Sequence, residues 1–139
     1  MLYRSFLPVG QGAFYLEEFR TVHNKKINII YDCGSQTNKK IVESEIRNNF
    51  CKNEEILIVF ISHLDADHVN GLEYLLKYCK VKNIVFPYTS HTSRYILSIK
   101  YLCSFDANNK EDFSYRLINN PYETILKNSD NTRYTLCYR

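Results

Sequence analysis

The order of patterns along the chain predicts an α/β layered domain built on a mixed sheet. Three observations carry that expectation. Strand-like segments fill the first part of the chain, strand and amphipathic-helix patterns then alternate, and one strand, Ile56–Ile61, is a continuous apolar run. At 139 residues, 45% of them hydrophobic, the chain has the length and apolar content of one domain with a real core. Residues 1–139 are therefore expected to form a single domain, with 106–139 unassigned.

The first strand is expected over Tyr3–Pro8. Gly10-Gln11-Gly12 reads as a tight turn, because both glycines adopt positive φ at little cost. Ala13–Phe19 and Ile27–Tyr31 follow as strands, joined by a hairpin loop at His23-Asn24-Lys25-Lys26. Asp32-Cys33-Gly34 ends the second of these with a carboxylate and a glycine turn. Lys39–Phe50 reads as a helix, with Val42, Ile46 and Phe50 recurring every fourth residue. The run Ile56–Ile61 predicts a strand covered on both faces. Asn70–Cys79 is the clearest helix, with Leu72, Leu75, Leu76 and Cys79 on one stripe. Asn83–Phe86 is a short strand stopped by Pro87. His91–Cys103 is apolar on several sides and predicts a helix packed between neighbours. Asn108–Asp112 reads as a solvated loop, and Tyr122–Leu126 with Arg133–Tyr138 as a hairpin around 128–132.

Composition excludes several classes. No segment has the roughly 18 uncharged apolar residues of a membrane span, and the N-terminus lacks the apolar stretch of a signal peptide, so the expectation is a cytoplasmic protein with no membrane partner. The net charge of +3 is mild and selects no partner. Cys33, Cys51, Cys79, Cys103 and Cys137 form no C-x-x-C pair and fit reduced thiols better than a disulfide scaffold or zinc ribbon.

The chemistry is concentrated in His63-Leu64-Asp65-Ala66-Asp67-His68, which follows the apolar strand directly. Four metal-ligating side chains at one strand end suit a divalent metal with coordination positions left for water. The plainer reading is a polar loop in which Asp67 caps the next helix and His63 ends the strand. Four ligating side chains in six residues favour metal binding. His91 is a weaker candidate at a helix start. Asp106, Asp112 and Asp130 are further oxygen donors without a distinguishing context. His23 and the Lys39-Lys40 pair read as solvated. Tyr and Lys residues scattered over 77–101 read as core edge and solvated face rather than a nucleic-acid surface.

Ser62-His63-Leu64-Asp65-Ala66-Asp67-His68 resembles the H-x-H-x-D-H signature of the metallo-β-lactamase fold. Ile29–Gly34 resembles that family's earlier strand ending in Asp and Gly. Val9-Gly10-Gln11-Gly12-Ala13 resembles the V-G-Q-G segment of a branch that includes competence-type DNA-uptake proteins. The resemblance covers residues 3 to about 87. It implies an αββα layered sandwich, here an incomplete copy containing the N-terminal half. It makes His63 and Asp65 ligands of a first metal and Asp67 and His68 ligands of a second, with Asp67 also orienting the nucleophile and Asp32 steadying a ligating imidazole from behind. The implied cofactor is Zn2+, one or two ions, with Mn2+ or Fe2+ as alternatives because Asp65 replaces the family's second His by a harder ligand. The implied activity is hydrolysis by metal-activated hydroxide, with nucleic acid or another phosphodiester as substrate in preference to β-lactams. The family's downstream His, bridging Asp and final His have no clear match here. The rival is therefore a non-catalytic interaction or regulatory module that retains only the loop. A half-sandwich also leaves one sheet face bare, which predicts a homodimer or a missing C-terminal half as its partner.

Overall fold

The computed structural model describes residues 2–104, 112–129 and 132–137. Its frame is a six-stranded sheet in the order β1-β2-β3-β5-β7-β8. β1 (Leu2–Phe6), β2 (Gly12–Arg20) and β3 (Lys26–Ser35) form an antiparallel meander. β5 (Ile58–Phe60), β7 (Asn83–Pro87) and β8 (Arg133–Cys137) add to β3 in parallel. A separate parallel pair joins β4 (Glu55–Ile56) to β6 (Lys80–Val81). The helices are α1 (Lys39–Asn49), α2 (Ala66–Val69), α3 (Leu72–Tyr78), α4 (His91–Ser104), α5 (Phe113–Asn119) and α6 (Pro121–Asn128). This is the mixed α/β sheet expected from the sequence, with the meander first and the parallel crossovers after it.

Register explains where the core lies. Leu16, Ile30, Val59 and Ile84 are successive cross-strand neighbours. All four are buried, in one cluster with Val42 and Ile46 of α1, Leu72 and Leu75 of α3, Leu117 of α5 and Ile125 of α6. The next row over, Phe6, Tyr15, Tyr31, Phe60 and Val85, points to the opposite face because side chains alternate along a strand. Its rings form a ladder with centroid separations of 4.7 Å (Phe6–Tyr15), 5.5 Å (Tyr15–Tyr31) and 5.0 Å (Tyr31–Phe60). Phe6 is 85% exposed and Tyr31 40% exposed. The sheet is thus covered by helices on one face and open on the other.

Several elements differ from the sequence reading. The run Ile56–Ile61 breaks in two: Ile56 pairs with Val81 in the small sheet, and Leu57 turns outward with its N–H bonded to the Asn28 carbonyl (3.0 Å). Only β5 continues into the main sheet, and its Ile58 and Phe60 lie on the open face, so the strand is not covered on both sides. The helix expected over Asn70–Cys79 is α3, which starts two residues later at Leu72, and a separate short helix, α2, precedes it in the motif loop. Tyr122–Leu126 is helical: Pro121 occupies the first turn of α6, where a missing N–H costs nothing, and Thr124 and Ile125 are buried. β8 accordingly has no hairpin partner and pairs with β7 instead. α5 was not anticipated, although Asp112 caps it by accepting from the Ser114 N–H (2.7 Å). On α4, Tyr95, Ile96 and Ile99 are exposed, so that helix has one uncovered side. Asp106 and Asp130 lie outside the described residues. Among the described residues, no helix is long and apolar enough to cross a membrane.

Burial separates the cysteines. Cys33 and Cys79 are buried, whereas Cys51 and Cys103 are exposed. Burial pushes the Cys79 thiol up to about 12, helped by the charge of Glu54. Burial also raises Cys33 far above the ordinary thiol range, with Cys79 and Asp32 adding to it. Since the thiolate is the nucleophile, a small maleimide at pH 7.5 should modify Cys51 and Cys103 in the folded protein and spare Cys33 and Cys79. Peptide mass mapping before and after denaturation checks this, and rapid native labelling of Cys33 would contradict the packing described.

Candidate metal centre

The site forms where β3 and β5 end side by side, the carboxyl edge of the parallel part of the sheet and the usual ligand position in open α/β folds. The local cause is a bulge in β3. Between the pairs Ala13–Gly34 and Tyr15–Tyr31 the register shifts by one residue, and Asp32 adopts φ 56. Asp is among the few residues that enter this region readily. The bulge aims the Asp32 carboxylate at the start of the motif loop, as bulges beside functional sites commonly do. The sequence reading, which ended this strand at Asp32 with a turn, is corrected: β3 continues to Ser35.

Asp32 is a hub. Its Oδ1 accepts from the Ser62 N–H (2.8 Å), and its Oδ2 accepts from Ser62 Oγ (2.7 Å) and from His68 Nδ1 (2.8 Å). A carboxylate only accepts, so Nδ1 carries a proton, and in the neutral imidazole the lone pair is on Nε2. That lone pair faces Asp67, whose Oδ2 is 3.6 Å from Nε2. Ser62 has already given its one proton to Asp32. His63 Nδ1, 2.9 Å from Ser62 Oγ, must therefore be the donor, which leaves His63 Nε2 free as well. The two imidazoles lie with ring centroids 3.8 Å apart.

His63, Asp67 and His68 each present a ligand atom within 4.8 Å of the other two. This donor set, with a carboxylate fixing one imidazole from behind, fits a divalent metal such as zinc. Asp65, the fourth motif residue, is not brought into the group. It occupies the N-cap position of α2 without making a capping bond, and its Oδ2 is 2.9 Å from Lys100 Nζ of α4. The hydrogen bond to Asp65 raises the Lys100 ammonium above its ordinary range, and the charges of Asp65 and Asp67 add to the effect. The plainer helix-start account holds in part: Asp65 stands at the N-cap of α2 without a side-chain capping bond, and Asp67 lies in its first turn, where a carboxylate suits the helix dipole. His91 begins α4, exposed and outside the group. Asp112 is spent on capping α5 and accepting from Tyr101 (2.7 Å). His23 lies exposed in the β2–β3 hairpin, and Lys39 pairs with Glu73 at 3.3 Å.

The loop is held by close backbone packing. A Cβ at Gly34 would meet the Asp67 carbonyl carbon at 2.5 Å and the His68 nitrogen at 2.6 Å, and one at Gly12 would collide with the Gly34 carbonyl. Gly12 is thus a packing residue, while Gly10, at φ 75, is the one that turns the chain. Asn70 completes the clamp. Its side chain accepts from the Ser35 N–H (3.0 Å) and donates to the Ser35 carbonyl (2.7 Å), replacing the neighbouring strand that β3 lacks there. Ser35, Ser62, Asn70 and Lys100 were not singled out from the sequence. Ser62 and Asn70 flank the motif and were visible as neighbours, but Lys100 is distant in sequence and carries no local signal.

A family model of the metallo-beta-lactamase superfamily matches residues 10–104. The chain belongs to that superfamily. The match contains the whole His/Asp loop, Asp32 and Lys100. Solved structures similar to this superfamily member include a metallo-beta-lactamase with a HARLDQ motif from Cronobacter sakazakii (17% identity, 70% of this chain and 34% of that one, TM-score 0.40). Another is MEM-A1, a subclass B3 metallo-beta-lactamase from a soil metagenome library (19% identity, 63% and 34%, TM-score 0.36). A third is a beta-lactamase domain protein from Burkholderia ambifaria (16% identity, 86% and 37%, TM-score 0.42). The chain spans about a third of the length of each. No curated protein sequence matches it significantly.

The glycine seat gives a direct test. Gly34→Ala places a methyl group against main chain that cannot rotate away, and should cost about 1–3 kcal/mol, a typical penalty for overpacking. Urea denaturation with an unchanged m-value and a lowered midpoint is the expected result.

Proposed function

We propose that this chain carries the metal-binding half of a metal-dependent hydrolase site, with phosphodiesters, nucleic acid among them, as the substrate class. The observation that carries the reading is the convergence of His63, Asp67 and His68 within 4.8 Å, with Asp32 bonded to His68 Nδ1. Membership of the superfamily supports a metallohydrolase-type fold. The V-G-Q-G segment at Val9–Gly12 supports phosphodiesters over β-lactams.

In this reading His63, Asp67 and His68 hold the ion, zinc in preference to manganese or iron given two imidazoles and one carboxylate. The ion supplies Lewis acidity and makes a water molecule acidic enough to ionise near neutral pH. Asp32 keeps the His68 proton on Nδ1 and the ring in one orientation, so that Nε2 is presented without reorganisation. Asp67 would also orient the attacking water, the role that the family resemblance gives it. Lys100, at the rim, adds a positive charge for an anionic substrate group. The second reading, a module that keeps the loop without catalysis, is favoured by one observation: Asp65 is withdrawn to Lys100 and His91 stands outside the group, so the ligand set is short.

Metal content separates the readings. Purified protein analysed by plasma mass spectrometry is expected to hold near-stoichiometric zinc, manganese or iron, and Asp67→Ala to lose it. Asp32→Asn, which can donate to His68 and so impose the wrong tautomer, should weaken metal affinity about 10- to 100-fold. Metal-loaded protein should cleave an activated phosphodiester such as bis(p-nitrophenyl) phosphate. Protein that binds no added zinc or manganese would leave only the interaction-module reading. Metal-bound protein inactive on phosphodiesters would refute the substrate class alone.

A further inference from the structure

Three of the four motif side chains converge, and the fourth is occupied elsewhere. Asp65 Oδ2 meets Lys100 Nζ at 2.9 Å, and both residues line a small pocket of about 90 Å³ together with Asp67, Leu64, Leu97 and Tyr101. Three protein ligands and one water complete a four-coordinate zinc site. Two ions need more donors, and Asp65 is the motif side chain that could begin a second set. The ammonium opposes this in two ways. It takes the carboxylate, and its own charge repels a second dication nearby.

We propose that the site is built for one divalent ion, with Lys100 withholding Asp65 from the ligand group and supplying from the protein the positive charge that a second ion would bring. This rests on the reading that His63, Asp67 and His68 bind metal. It gives Lys100 a positioning role that a surface ion pair would not have. Exposed pairs contribute little to stability, and the Lys100 side chain is 63% exposed. Its effect should therefore appear in metal stoichiometry and not in folding.

The test compares wild type, Lys100→Arg, Lys100→Met and the double variant Lys100→Met/Asp65→Asn. Each is stripped with chelator, titrated with zinc by calorimetry, and assayed for bound zinc after gel filtration. Wild type and Lys100→Arg should bind one zinc per chain. Lys100→Met should bind a second zinc at least about tenfold more tightly than wild type does, and the double variant should lose that gain. Thermal midpoints of Lys100→Met and wild type should coincide, because the side chain is exposed. One zinc in both wild type and Lys100→Met, with affinities within twofold, would overturn the role of Lys100 and leave the three-ligand site intact. Two zinc ions in wild type would overturn it likewise. No zinc in any of the proteins would remove the ligand group itself, and this inference with it.

Discussion

The site depends on one buried carboxylate. Asp32, with its side chain 10% exposed, joins the last stretch of β3 to Ser62, the second residue beyond β5, and to the imidazole of His68. A carboxylate removed from water in this way is tolerable because three donors replace its hydration. The same three bonds convert a sheet edge into a rigid support. Without the positive-φ bulge, Asp32 would continue the strand alternation, and the motif loop would have lost its anchor. The strained residue, the bulge and the imidazole form one device, in which a modest backbone cost at Asp32 fixes side-chain geometry across three chain segments.

Packing reinforces what the carboxylate begins. Gly12 and Gly34 let two strands touch the main chain of Asp67 and His68 directly, and Gly71, whose N–H donates to the Cys33 carbonyl (2.9 Å), does the same where α2 meets α3. Ser35 ties the preceding turn into this seat: its Oγ donates to the Val9 carbonyl at 2.5 Å and accepts from Thr37 and Asn38. The V-G-Q-G segment is therefore structural in this chain. It braces the end of β3 through the Val9 carbonyl and packs against the motif loop at Gly12.

What was legible in the sequence was whatever periodicity or local clustering encodes. The α1 stripe of Val42 and Ile46, the meander of β1 to β3 and the His/Asp loop all follow from neighbours in sequence. Failures arose where tertiary partners decide. Ile56–Ile61 looks uniform as a string, yet Ile56 is drawn to Val81 and Ile58 to Ile29, in different sheets. Tyr122–Leu126 has the aromatic and β-branched content of a strand, but Pro121 and the buried Thr124 and Ile125 settle it as a helix. The motif suggested four ligands, two for each of two metals. In the structure Asp65 stands at the N-cap of α2 and pairs with Lys100 of α4, apart from the other three.

The open face completes the physical picture. Tyr15 and Tyr31 can keep hydroxyls in water, and Tyr15 donates to Glu17 (3.0 Å) while Glu17 pairs with Arg4 at 2.9 Å, so part of this surface is adapted to solvent. Phe6 and Phe60 have no such polar end. A continuous row from Phe6 to Val85 is the kind of surface that sandwiches bury against a second layer, and the αββα architecture places a second sheet on this side. A groove of about 680 Å³ along the row is lined by Phe6, Val9, Tyr15, Tyr31 and Asp32, so the bare face and the candidate metal centre share the Asp32 hub. Tyr31, on the open face, is the residue immediately before the Asp32 bulge. Covering that face and fixing the geometry of the site are consequently the same structural problem, solved in this chain from one side only.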